Sequence, residues 1–530
     1  MANEFDVVVI GSGFGGAVTA CRLAEAGYRV LILERGRRWD VKDYPRKPDD
    51  AWIWDQDHPT RHNGWLDLRI FPNMTVAQGA AVGGGSLIYA NISVEAKPDL
   101  FKQGWPPEIT YEELKPYYQK VGGMLQITPI PQNQWSERTK LMKEAAQQIG
   151  YGDRFQLLDL AVSFDKNWSY DLKDPHNFDH SKKFINPQGQ EQGTCVHLGN
   201  CDIGCDVKAK NTLDLNYIPW AEKHQAEVRP LHLVRTILPV DGGYRVDFDR
   251  IEGGRLEPGS VTGRIVVVAA GSLGSTELLL RCRRQYKTLP RLSPFLGRNW
   301  SSNGDFLTPA FHFGRDVSPT RGPTITAAID FLGGNRLDDQ HFFIEDGGFP
   351  DILGNYLETK ASAPARGLRA QAFLETIKYV LRQRDPLKHM MPWFAQGRDA
   401  ADGRFRLRKR WWFFGKRVLH LHWDVKKSEK TINAIVAMHK KLAKETGGVP
   451  FVPPTWTLAK DLVTPHPLGG CNMGSTPDNG VVNHKGEVFG YRNLYVADGA
   501  IIPEAIGANP SKSIAALAER IAEFIVDEGR

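Results

Sequence analysis

The sequence predicts an α/β fold, and three features of it carry that prediction. A short apolar run, Phe5–Ile10, leads into a glycine-rich turn and then into helix-forming sequence. A second apolar run, residues 28–33, ends at an acid, Glu34. Two more apolar runs, at 265–268 and 493–497, return late in the chain and finish in small residues. Runs that are mostly apolar, rather than alternating, belong to strands buried on both faces of a parallel sheet.

The first unit can be justified element by element. The turn reads Gly11-Ser12-Gly13-Phe14-Gly15-Gly16, a G-x-G-x-x-G, and residues 17–26 continue as a helix closed by Gly27. Glu34 stands 23 positions after Gly11. Gly11 permits the tight turn, Gly13 lets backbone approach a pyrophosphate, and Gly16 lets the helix pack close to the strand. The helix N-terminus presents free amides and a partial positive charge to phosphate. Glu34 can accept hydrogen bonds from both ribose hydroxyls and repels a 2′-phosphate, so FAD or NAD is expected rather than NADP.

Later segments decide between those two. Gly79-Ala80-Ala81-Val82-Gly83-Gly84-Gly85-Ser86 allows backbone to pass close to a planar ring. The run at 265–268 ends in Ala269-Ala270-Gly271 before a helix, and the run at 493–497 leads into Asp498-Gly499. Pro510 suits the first turn of a C-terminal helix, whose free amides could sit over N1–C2=O of a flavin. A lone NAD domain does not need these distant returns, whereas an FAD embedded along its length does.

Composition sets the outer bounds. The 530 residues are 41% apolar and 24% charged, which excludes a disordered, collagen-like or disulfide-scaffold chain. Six cysteines do not make a disulfide framework, and 67 basic against 61 acidic residues, net +6, neither demands nor excludes an anionic partner. No run approaches the roughly 18 apolar residues of a spanning helix. Residues 1–6 lack a basic and apolar leader pattern, so the expectation is a cytoplasmic protein, peripheral at the membrane if it touches one.

With these pieces in order along the chain, the sequence resembles the glucose–methanol–choline (GMC) flavoprotein oxidoreductases, and within them the bacterial cholesterol oxidase branch. The matching segments are 11–16 with Glu34, 82–87, 232–237, 268–272, His466-Pro467-Leu468-Gly469-Gly470-Cys471, 493–499 and Gly507-Ala508-Asn509-Pro510. The resemblance implies a Rossmann-type FAD-binding domain interrupted by an α+β substrate domain with a mostly antiparallel sheet. The boundaries expected are 1–300 for a discontinuous FAD-binding domain, 301–460 mainly for substrate, and 461–530 returning to FAD with the catalytic His and Asn.

Site residues carry over by the same resemblance. Glu34 would hold the ribose and Val234 would meet adenine through its backbone. Gly85, Tyr89, Ala90 and Ile92 would lie along the flavin, and Gly83 and Gly84 would also bind the cofactor. Asp498 and Gly499 would meet the ribityl–phosphate region, with Asn509, Pro510 and Ser511 near the reactive edge. Where sterol oxidases commonly have Asn-Gly, this chain has Tyr89-Ala90, and a Tyr side chain cannot reproduce an Asn amide contact. FAD is expected to be non-covalent, because no histidine stands in 79–86. No metal is expected. Cys195, Cys201 and Cys205, even with His197, match no standard zinc or iron–sulfur spacing and read as packed thiols, and Cys471 reads as a buried small residue.

His466 and Asn509 would stand opposite flavin N5, with His466 either acting as base or orienting the substrate oxygen. Glu345, after the apolar Phe342-Phe343-Ile344, matches the glutamate that shifts a Δ5 double bond in related sterol oxidases. A solvent-facing acid beside a Gly-Gly turn is its other reading. The expected function is oxidation of a secondary alcohol on a large apolar substrate, a 3β-hydroxysteroid, with Δ5 to Δ4 isomerisation if the substrate has the double bond. The alternatives are a non-steroid alcohol with an acceptor other than oxygen, or a non-redox FAD lyase or photoenzyme. Two further segments are singled out. Residues 367–384 have helical apolar spacing. Arg404 to Arg417 interleaves basic and aromatic residues; it reads as a packed hairpin or as a membrane or partner contact, and nucleic acid is not expected as a partner.

Overall fold

In the computed structural model, residues 4–351, 386–409 and 417–529 are described. The helix expected over 367–384 and the central part of the Arg/Trp segment, 410–416, lie outside the described residues.

The apolar runs form the centre of a seven-stranded sheet. Phe5–Ile10 lies between Val30–Leu33 and Arg255–Val268 and is parallel to both, with Val7 opposite Val30 and Ile265. Val7, Val8, Val9, Leu31, Ile32, Val266, Val267 and Val268 are fully buried. Leu494–Val496 extends the parallel part beyond Val266–Val268, and Glu227–Arg229 forms the other edge. Arg255–Val268 is 14 residues long and serves two partners: its second half runs parallel to Phe5–Ile10, and its first half pairs antiparallel with Gly243–Glu252. That strand pairs in turn with His232–Val240. A Rossmann-type core with an antiparallel flap results.

The helix Phe14–Glu25 starts inside the glycine motif and packs against the C-terminal helix Ser511–Gly529. Ala17, Ala20 and Ala24 on one and Ala515, Ala518 and Ala522 on the other are buried, and small side chains let the two helices approach closely. Glu519, nearly inaccessible, joins them through Arg22 at 2.7 Å.

A second sheet is antiparallel throughout. Its order is Val449–Pro450, Phe306–Phe311, Met390–Gly397, Phe342–Asp346, Ala327–Phe331, Phe155–Leu157. The helices Val425–Glu445 and Glu137–Gln148 pack on it. Every residue of Phe342–Asp346 is buried, because the strand is covered on both faces. A smaller sheet joins Leu462–Thr464, Met74–Gly79, Leu66–Phe71 and Ile53–Trp54. Arg404–Lys409 and Arg417–His422 pair as an antiparallel hairpin.

Candidate active site

The Rossmann unit and the antiparallel sheet enclose one large cavity of about 1220 Å³. Glu34 and Val234 border it in one region, Gly13, Gly85 and Tyr89 in another, and His466, Asn509 and Phe394 where the antiparallel sheet closes it.

The glycines divide into two sets by what a side chain would meet. A Cβ on Gly11 would lie 2.4 Å from the Ala269 carbonyl oxygen, and one on Gly16 would lie 2.0 Å from that of Gly11. These are packing glycines, and Gly15, to which the sequence reading gave no role, is another: its Cβ would lie 1.8 Å from the Ala497 oxygen, so it admits the late strand. Gly84 brings the second glycine loop onto the first, its Cβ position 2.6 Å from Gly13 Cα. Gly13 and Gly85 differ. A Cβ would find one atom at 3.9 Å on Gly13 and none within 4 Å on Gly85, so both present bare backbone to the cavity. The helix after Gly13 has no acidic residue in its first turn and no side-chain cap, which leaves its amides for an anion. This arrangement fits a dinucleotide.

Glu34 is buried, and its carboxylate ties the glycine turn to the turn after its own strand. Ser12 donates to Oε2 from its amide at 3.0 Å and from Oγ at 2.7 Å, and the Gly36 amide donates to Oε1 at 2.8 Å. Ser12 Oγ also accepts from the Gly83 amide at 3.1 Å. Gly83 therefore sits behind the wall, holding the second loop to the first, and does not border the cavity as its cofactor-binding assignment expects. Nothing local in the sequence marks Ser12 for this role. Asp498 borders the cavity, but its carboxylate is engaged by the Gly271 and Ala500 amides, both at 2.8 Å, and by Ser275. Burial raises its pKa, against those hydrogen bonds.

Tyr89 stands edge-on to Phe14 at 5.4 Å, and its hydroxyl donates to the Asn211 carbonyl at 2.9 Å. Behind it lies Lys210, fully buried, donating to the carbonyls of Leu87, Tyr89 and Cys201 at 2.9, 3.3 and 2.6 Å. This lysine was not visible to motif reading. Ser511 Oγ donates to the Ile92 carbonyl at 3.2 Å, which joins the start of the C-terminal helix to the same wall. The expected cysteine loop places Cys195, Cys201 and Cys205 as free thiols, and burial pushes the Cys195 thiol well up. His197 is stacked on Trp168, with centroids 3.9 Å apart, and its ring nitrogens meet Tyr170 and Gln134.

At the antiparallel sheet, His466 turns Nδ1 towards the carboxylate of Asp305, 2.8 Å from Oδ1 and 3.1 Å from Oδ2. Asp305 is 1% exposed, and burial raises its pKa against the pull of His466 and Thr464. Thr464 Oγ1 donates to Asp305 Oδ2 and accepts from the His466 amide at 2.9 Å. Asn509 borders the cavity with a buried amide whose Oδ1 has no partner.

Glu345 is its neighbour and is wholly buried, not solvent-facing. It lies behind the cavity surface rather than on it, although the residues that follow, Gly347 to Phe349, do line the cavity. Gln396 Nε2 donates to Oε2 at 2.8 Å, and Oε1 has no partner. Burial pushes its pKa up to about 8; Asp346 and Asp305 add to the rise, while Gln396 and Asn509 oppose it. Near neutrality Glu345 is therefore a carboxylic acid, able to donate a proton.

Comparison with known proteins agrees with this geometry. Residues 399–518 match the GMC oxidoreductase family model, and residues 9–47 match an NAD(P)-binding Rossmann-like domain. A cholesterol oxidase of Acinetobacter baumannii is 30% identical over 98% of this chain and 94% of its own length. One from Mycobacterium tuberculosis (strain ATCC 25618 / H37Rv) is 31% identical over 100% of this chain and 92% of its own. The structure of pyridoxine 4-oxidase from Mesorbium loti superposes with a TM-score of 0.62 at 17% identity, covering 98% of each chain, and so shares the fold. The match to the cholesterol oxidases over nearly the full length, with the dinucleotide cradle and His466, backed by Asp305, at one cavity, makes the chain a member of the GMC oxidoreductase family, in its cholesterol oxidase-like branch, and an FAD-dependent oxidoreductase acting on alcohols.

Proposed function

We propose that the protein oxidises a secondary alcohol on a large apolar substrate, a 3β-hydroxysteroid, with FAD held non-covalently and oxygen as electron acceptor. One observation carries the reading: His466, oriented by Asp305, and Asn509 both line the dinucleotide cavity, which is also lined by the apolar side chains of Leu307, Ile325, Phe349 and Phe394. When bound, FAD supplies the acceptor for the hydride that leaves the carbinol carbon. His466 and Asn509 hold the hydroxyl, and the apolar wall takes the ring system and excludes water. If the substrate carries a Δ5 double bond, the ionised fraction of Glu345 takes the C4 proton, and the acid so formed returns it at C6. A carboxyl with a pKa of about 8 suits proton exchange near neutrality. The two relatives named as cholesterol oxidases support the steroid reading.

Such a substrate resides in lipid, and the surface around the cavity supports contact with it. Leu68, Ile70 and Val463 are 41%, 80% and 61% exposed. Thr75 lies opposite both Ile70 and Val463, and Ala77 lies opposite Leu68, so these residues share one sheet face. Leu66 and Ala77 of that face border the cavity. The exposed Arg406, Arg408 and Lys409 stand on the nearby hairpin, whose Phe405 meets Phe71 at 5.9 Å. Among the described residues no helix is long and apolar enough to cross a membrane. The contact proposed is therefore peripheral.

The test is anaerobic mixing of holoenzyme with cholesterol, followed by air. Bleaching that air reverses with release of peroxide supports the reading. Bleaching that air does not reverse replaces oxygen by another acceptor. No bleaching by any 3β-hydroxysteroid removes the substrate class.

A further inference from the structure

We infer that Asp305 is a positioning residue: it keeps the proton of neutral His466 on Nδ1, leaves the Nε2 lone pair to the cavity, and so makes His466 the proton acceptor in alcohol oxidation. The inference rests on the reading above that His466 meets the substrate hydroxyl. It chooses between the two roles, base or oxygen-orienting donor, that the sequence leaves open.

Three observations carry it. Both carboxylate oxygens of Asp305 lie within hydrogen-bond reach of Nδ1, at 2.8 and 3.1 Å. The backbone N–H of His466 also donates to this carboxylate, while the single proton of Thr464 Oγ1 is shared between Oδ2 and the Ser302 carbonyl at 2.8 Å. A group that collects donors from two sides is acting as an acceptor, so the donor at Nδ1 must be N–H. In neutral imidazole the other nitrogen then carries the lone pair. Second, the arrangement closes on itself. The His466 amide donates to Thr464 Oγ1, and Thr464 turns to Asp305, so the backbone and ring of His466 are fixed by the same pair of side chains. Third, Asp305 is 1% exposed, whereas His466 lines the cavity. Only the Nε2 edge remains for a ligand.

The chemical balance is simple. The hydroxyl proton would pass to His466 Nε2, and FAD, when bound, would supply the acceptor for the carbinol hydrogen as hydride, leaving a ketone. The imidazolium that forms lies beside a carboxylate shielded from water, where their attraction is stronger than at a surface. Asn509, with no ionisable proton, is left to hold the substrate oxygen through its amide.

The first experiment reads the tautomer directly. Holoenzyme carrying ¹⁵N-histidine is examined by long-range ¹H–¹⁵N correlation at alkaline pH, with the His466→Gln spectrum to assign the resonance. A protonated Nδ1 and bare Nε2 support the inference, and a protonated Nε2 overturns it. The second uses Asp305→Asn, checked for wild-type flavin content. Loss of the charge and of the enforced tautomer should slow anaerobic flavin reduction by 3β-hydroxysteroid about 10²–10⁴-fold, with KM changed less than about threefold. Reduction at the wild-type rate would overturn it. If the steroid fails to reduce the wild-type flavin, the substrate reading fails, and the tautomer measurement still decides the role of Asp305. Should the Asn variant not fold, that same measurement on the wild-type protein stands alone.

Discussion

Replacing Glu345 by glutamine should make the protein more stable at neutral and alkaline pH while slowing isomerisation. The carboxyl is fully buried, its Oε1 has no partner, and its pKa rises from 4.5 to about 8. In the unfolded chain the same group loses its proton near 4.5. Between those values the folded state binds more protons than the unfolded one, so this residue lowers stability progressively as pH rises from 4.5 to 8, and by a constant amount above. Each pKa unit is worth about 1.4 kcal/mol, which gives a cost of about 3 kcal/mol at pH 7 and about 5 kcal/mol above pH 8. Glutamine is neutral at every pH and close in shape. At about 2.1 cal/mol/K per residue, 3 kcal/mol corresponds to a rise in Tm of roughly 3 °C for a chain of 530 residues. The assay is Tm by scanning fluorimetry of both holoproteins from pH 4.5 to 9, at equal flavin content. The two curves should meet near pH 4.5 and separate steadily to pH 8, with the variant higher. With cholesterol, the variant should still reduce its flavin but accumulate the Δ5 ketone before the conjugated enone. A variant less stable than wild type at pH 8, or a gap that does not grow with pH, would refute the argument from burial. An enone formed at the wild-type rate would make Glu345 a wall residue only.

Three other outcomes are expected. His466→Ala should reduce turnover about 10²–10⁴-fold while the flavin absorbance spectrum persists, measured by stopped-flow with steroid in excess. Gly85→Val should fold, because a Cβ there meets no atom within 4 Å, yet lose most of its FAD affinity, because the added methyls occupy the cavity; fluorescence titration of the apoprotein with FAD reads this. The double variant Ile70→Asp, Val463→Asp should oxidise detergent-dispersed cholesterol at close to the wild-type rate and vesicle cholesterol at least about tenfold more slowly, since it places charge on an exposed apolar face; equal loss on both forms would remove the membrane contact.

What the sequence makes legible here is local, and what it hides is paired across the chain. The βαβ unit can be read because strand, turn, helix and acid fall within 34 residues and their periodicity changes in order. His466 and Asn509 were found by resemblance in motif and order, and the structure brings both to one cavity. Asp305 could not be found that way. It lies 161 residues from His466, in a segment with no motif of its own, and only the packing of the antiparallel sheet against the late loop makes the contact. Ser12 was in plain view inside the glycine motif, but its function depends on Gly83, 71 residues on. Glu345 shows a third kind of limit. On a strand with one wet face, Glu345 and Asp346 would point to opposite sides and one would reach solvent. Here both are fully buried, because the strand is covered on both faces, and each acid meets different partners: Gln396 and Asn509 for Glu345, Arg138 and Thr326 for Asp346. Asp346 holds the fold with a cation beside it. Burial raises the pKa of both acids, opposed at Asp346 by the Arg138 cation and Thr326 and at Glu345 only by amides. The difference between a structural and a chemical carboxylate at adjacent positions is thus set by which side of the sheet each faces, and that is fixed by strands whose contacts lie far apart in sequence.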